Sequence, residues 1–203
     1  MKKKAAANKT VAKKSSKSVK AQSTSKAISA KKASAADIIE IILKDHKPLK
    51  KLIKVLKSEK AEKAEKETAF KEFAPLLLWH AEPEEQVLYV HMKDDSEDLR
   101  VEGYEGDTEH ALASQMIDEV KASVNDDQWM ARVKVLAELV EHHIEEEEED
   151  MFPDIRKAFD LEARVQMGSD YLQLREEFEM SEGDATVNSK NKKQKKSEEM
   201  QLN

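Results

Sequence analysis

Four of the six histidines in this 203-residue chain, His46, His80, His110 and His143, stand where the apolar periodicity calls for a core residue. His80 and His143 are each followed four residues later by a glutamate, Glu84 and Glu147, and positions i and i+4 share a helix face. A lone imidazole on an apolar stripe is more often a hydrogen-bonded core residue than a ligand. Four of them, with two carboxylates whose burial without cations costs several kcal/mol each or forces protonation, call for a metal. The chain has no cysteine, which removes disulfides, thiolate zinc sites, Cys-ligated iron–sulfur clusters and a Cys nucleophile. Four neutral imidazoles and two carboxylates are too many donors for one tetrahedral zinc. They suit two borderline ions with the carboxylates free to bridge, and the expected species is a non-haem diiron centre. Here His precedes Glu at a spacing of four, unlike the Glu-x-x-His pairs of ferritin-like carboxylate bundles.

Other residues near these positions have to be weighed. Glu85 and Glu148 are alternatives to Glu84 and Glu147, but only the i+4 residues continue the apolar stripe. His142 is rotated by about 100° from His143 and faces solvent or a neighbouring helix. His91 lies too far along its helix to join the others. Asp45 and Glu109 directly precede ligand histidines and point away from the metal, as solvent-facing or cross-helix partners or as groups that orient an imidazole. Trp79, Tyr89 and Trp129 read as core or boundary fillers. No Ser-His-Asp order, P-loop or Gly-rich dinucleotide turn supports another enzyme class.

The elements that must position these side chains are helical. Only four glycines, four prolines and 5% aromatic residues accompany 38% charged residues, a balance that disfavours all-β and Rossmann-like folds. Helix A is expected to begin near Ser34, three residues before Asp37 in a capping-box-like arrangement, and to run to Lys57. Its stripe is Ile38, Ile42, His46, Leu49, Ile53 and Leu56, and Pro48 predicts a kink. Helix B runs from the AEKAEKETAF stretch to His91 with Phe70, Phe73, Leu77, His80, Glu84 and Leu88 on one face. Pro75 and Pro83 interrupt it, and Pro83 leaves the Trp79 carbonyl without its helical partner. DDSEDLRVEGYEGD reads as a polar, glycine-bearing connection. Helix C follows with His110, Ala113, Ile117 and Val120. Helix D starts at Asn125 or Asp126 and carries Trp129, Val133, Leu136, Val140, His143, Glu147 and Met151 to about Phe159, with a bend at Pro153. A fifth helical segment, about 161–179, has Met167, Tyr171, Leu174 and Phe178 at helical spacing and packs against or caps the rest. Four such stripes predict an all-α, up-down antiparallel four-helix bundle with an additional C-terminal helix.

Four pieces of the chain resemble the hemerythrin-like domains of the HHE cation-binding type. They are Asp45-His46 in DHKPL, HAEPEEQVLY from His80, the Glu109-His110 pair, and HIEEEEEDMFP from His143. The second and fourth repeat one pattern: His, three residues, Glu-Glu, two residues, an apolar residue, an aromatic. The resemblance covers about residues 35–160. It implies a diiron site ligated by His46, His80, Glu84, His110, His143 and Glu147, with oxo or hydroxo and carboxylate bridges. Family members bind O₂ reversibly, sense iron, oxygen or redox state, or store and handle iron. Oxygen-carrying members have a second His four residues after the one on the third helix, where this chain has Ser114, and an Asp five residues after the last His, where it has Glu148. The centre thus has one His fewer than the carrier pattern.

Charge divides the chain. Residues 1–34 hold eleven lysines and no acid, while the other 24 basic residues are set against all 42 acidic ones. The domain reading is therefore a disordered Lys/Ala/Ser tail over 1–34, a helical bundle over 35–180 and a disordered polar tail over 181–203. The basic tail can attract nucleic acid or polyphosphate without reading sequence. No apolar run approaches the roughly 20 residues that cross a bilayer, and the Lys-rich start lacks the apolar stretch of a secretory signal, which reads as cytoplasmic with no membrane insertion. The functional expectation is a diiron protein binding O₂, another diatomic or peroxide, in sensing or iron handling. The alternatives are a polyanion-associated protein with a structural or regulatory metal, and a diiron oxidase or peroxidase.

Overall fold

A computed structural model describes residues 36–178 and places them almost entirely in helices. Helix α1 spans Ile38–Lys57 and is capped by Asp37, whose carboxylate accepts from the Ile39 N–H. The cap is thus Asp37, which can reach the first free N–H groups of the helix, and Ser34 lies outside the described residues. The helix continues through Pro48. The second long helix comprises α2 (Lys63–Glu84), a π-helical turn (Glu85–Tyr89) and α3 (Val90–Asp94).

Helix α4 spans Glu97–Lys121, so most of the segment read as a connection is helical. Ser96 caps it, accepting from the Leu99 N–H, and Glu97 and Asp98 in its first turn complement the helix dipole. Gly103 and Gly106 are buried inside it because a neighbouring helix approaches closely there. A Cβ at Gly106 would meet the Tyr89 ring at 2.6 Å. The fourth long helix comprises α5 (Asp126–Glu146), a second π-helical turn (Glu147–Met151) and α6 (Phe152–Ala158). A last helix, α7, occupies residues 161–178.

Cross-helix pairs run in opposite chain directions. His46 and Lys57 of α1 meet Glu148 and Glu141, while Glu109 and Glu119 of α4 meet His143 and Arg132. Likewise Glu85 and Lys93 meet His110 and Asp107. The result is an antiparallel bundle in which every proposed apolar-stripe position of helices A, B and C is buried.

Two hydrophobic cores fill this bundle. One joins Leu49, Ile53, Phe73, Leu77, Ile117 and Val140 with their neighbours, and the other joins Ile38, Ile42, Leu88, Tyr89, Phe152 and Tyr171 with theirs. On each long helix the histidine falls at the boundary: His46 between Ile42 and Leu49, His80 after Leu77, His143 after Val140. The polar side chains therefore form a layer between two apolar ones.

A candidate metal centre between two apolar cores

The structure brings all six side chains together in that layer. His46, His80, Glu84, His110, His143 and Glu147 are each between 0% and 4% exposed. Their donor atoms fall into triads within 4.8 Å of one another: His46, His80 and Glu147; His80, Glu84 and His110; Glu84, His143 and Glu147. The imidazoles pair off, His46 with His80 at 5.0 Å between ring centroids and His110 with His143 at 4.6 Å. Each carboxylate faces both pairs. Glu147 Oε2 lies 3.1 Å from His46 Nε2 and 3.6 Å from His143 Nε2. Glu84 Oε2 lies 3.2 Å from His80 Nε2 and 3.9 Å from His110 Nε2.

The widened turns explain how these helices serve the site. A 3.6-residue repeat cannot bury three consecutive side chains on one face, yet Val87, Leu88 and Tyr89 are all buried. The π turn shifts the face by one residue. It follows Pro83, which has no N–H to give the regular ladder. A second turn of this kind, at Glu147–Met151, precedes Pro153, and Met151 and Phe152 at its end are buried. The first turn starts directly after the site glutamate Glu84 and the second at Glu147 itself.

Tyr89 consequently reaches the centre. Its hydroxyl donates to Glu147 Oε1 at 2.8 Å, and its ring leans on His110 at 5.4 Å. Phe152, at the same place in the sequence repeat, stacks on His46 at 6.0 Å. Reading Tyr89 as a filler missed this contact, although the repeated aromatic nine residues after each histidine was the signal for it.

The flanking acids hold the rings. His46 Nδ1–H donates to Glu148 at 2.8 Å, His110 Nδ1–H to Glu85 at 3.1 Å, and His143 Nδ1–H to Glu109 at 2.7 Å. An ionised carboxylate only accepts, so each of these rings carries a proton on Nδ1 and turns its Nε2 to the interior. Glu85 and Glu148 thus orient histidines, and Glu84 and Glu147 occupy the interior. His142 is exposed and pairs with Glu146, and His91 is exposed with its Nδ1–H on the Val87 carbonyl. Ser114 is also exposed.

Burial and neighbouring charge set the protons. Burial, reinforced by His46, holds His80 well below the usual imidazole range, so it is neutral. Burial and then Glu147 push Glu84 well above the carboxylate range. Burial would raise Glu147 too, but His143 and His46 outweigh it and hold that carboxylate low. Beside His143 a cavity of about 380 Å³ is lined by Glu102, Glu105, Glu109, Glu146, Asp150 and Asp154, whose field favours cations.

The donor set fits metal ions. Among the described residues, seven buried side-chain atoms lack a hydrogen-bond partner, and six belong to His46, His80, Glu84 and Glu147. Native interiors rarely leave such groups unpaired. His110 Nε2 and His143 Nε2 stand 2.9 Å apart, an approach that needs a proton or a cation between them. No curated protein and no solved structure matches this chain. Residues 37–155 match the family described as the hemerythrin HHE cation-binding domain, and with more than half of its length inside that match the chain belongs to this family.

Proposed function

We propose that the polar layer holds two iron ions, ligated by His46, His80, Glu84, His110, His143 and Glu147, and that the protein binds O₂ or a related small ligand in oxygen or redox sensing or in iron handling. The observation that carries this reading is the cluster of buried, unpartnered donor atoms on these residues. Iron bound there would supply the redox change that capture of O₂ or peroxide requires. The chain's own part is to hold the donors ready. Glu148, Glu85 and Glu109 keep three Nε2 atoms turned inward, and Tyr89 orients Glu147. Because each glutamate faces one imidazole of either pair, both are suited to bridge. Six protein donors leave two iron ions with positions to spare for a small ligand, and the exposed Ser114 adds none. This favours sensing or handling over bulk carriage.

The test is the double variant His80→Ala/His143→Ala, which takes one imidazole from each pair. After anaerobic loading with Fe(II) and desalting, it should retain no two-metal centre. Full metal content in the folded variant would overturn the assignment.

A further inference from the structure

Three of the four site imidazoles have a carboxylate behind Nδ1, and His80 does not. Both of its nitrogens are buried without a hydrogen-bond partner. Chain order points to the residue that should serve it. Glu109, directly before His110, backs His143; the matching residue before His46 is Asp45, and its counterpart ring is His80. Asp45 and His80 line one small cavity of about 60 Å³, with Leu76, Trp79 and Arg175. Yet Asp45 is engaged elsewhere.

Helix α7 takes it. Arg175 Nη1 donates to both Asp45 oxygens at 3.0 and 2.8 Å. The Tyr171 hydroxyl lies 3.1 Å from Asp45 Oδ2 and 3.2 Å from the His80 carbonyl oxygen, its one proton shared between them. Tyr171 is fully buried. The docking is close: a Cβ at Gly168 would stand 2.1 Å from the Ala36 carbonyl oxygen. Tyr171 and Arg175 both lie beyond the segment 37–155 that matches the family.

We propose that Arg175 is a positioning residue for the metal centre. By holding Asp45 it leaves His80 without a carboxylate, so the His46–His80 half binds its ion more weakly than the His110–His143 half. The inference rests on the two-ion reading above. A carboxylate behind a ligand imidazole fixes its tautomer and raises its basicity, and losing one typically costs about 10–100-fold in metal affinity. The second half has two such carboxylates. The first has only Glu148, which is itself shared with Lys50 at 2.6 Å.

Anaerobic calorimetric titration of the full chain with Fe(II) separates the cases. Wild type should show two steps about 10–100-fold apart. Arg175→Gln frees Asp45 and should draw the steps together, and adding Asp45→Asn should part them again. Asp45→Asn alone should leave both steps in place, whereas Glu109→Gln should weaken the tighter one. Unchanged steps in a folded Arg175→Gln variant would overturn the proposal, as would an Asp45→Asn variant that loses as much affinity as Glu109→Gln. If Arg175→Gln does not fold, the Asp45→Asn comparison decides alone. One step with a stoichiometry of two ions in wild type would refute the clasp and leave the two-ion reading intact; a stoichiometry of one ion or fewer would refute the two-ion reading itself.

Discussion

Glu84 and Glu147 are equally buried glutamates four residues after equivalent histidines, and their protons are held in opposite ways. Burial and the Glu147 charge keep a proton on Glu84, while His143 and His46 keep Glu147 ionised against its own burial. A cation entering the layer must therefore displace the Glu84 proton. Because that group's value is raised, metal-free protein retains the proton as pH rises past the ordinary carboxylate range, and binding strengthens as pH climbs further, by roughly tenfold per unit for each proton displaced. Calorimetry of Fe(II) binding just above the ordinary carboxylate range, in buffers of different ionisation enthalpy, should show proton release. Heats independent of the buffer would contradict this state of Glu84. That these six side chains would meet was legible because each repeats its helix's apolar spacing. The roles of Glu85 and Glu148 were not, since they depend on how neighbouring helices are rotated against one another, whereas an imidazole-orienting role was among the readings of Glu109. The choice of Glu84 over Glu85 was legible for the same reason that it is buried: it continues the stripe.

At the scale of elements, the π turn after Glu84 and the two helical glycines form one device. The turn after Glu84 brings Tyr89 inward, and Gly106 of α4 makes room for its ring. On propensity alone, Gly106→Ala would stabilise an exposed helix by about 0.5–1 kcal/mol. Here the added methyl collides with a ring fixed by its bond to Glu147, and the variant should lose about 1–3 kcal/mol, the usual scale for overpacking. Urea unfolding of metal-free protein measures it, and a stabilised variant would contradict the packing of Tyr89. Glycine is also why the sequence misplaced the start of the third helix. Gly103 and Gly106 among many acids look like a connection, because only the neighbouring helix reveals what they make room for. A strict 3.6-residue repeat hid Tyr89 likewise, since the repeat fails at a π turn.

Across the whole molecule, a polar layer is held between two apolar cores, with helices from both directions crossing it. That arrangement makes the layer the costliest part of the metal-free protein and the part that a cation stabilises most. No helix among the described residues is long and apolar enough to cross a membrane. The polyanion contact proposed for residues 1–34 rests on eleven lysines without an acid, and those residues lie outside the described ones. The helical-bundle class followed from periodicity and from the scarcity of glycine and proline. The hold of α7 on Asp45 did not, because a short stripe shows that a helix packs but not which polar group its Tyr and Arg will meet. The central claim is that this layer is a two-metal site, and elemental analysis of protein loaded anaerobically with Fe(II) and desalted tests it most directly. About two iron ions per chain are expected from six inward donors with bridging carboxylates. Less than one iron per chain would mean that the buried histidines and glutamates serve the fold alone, and would contradict the account.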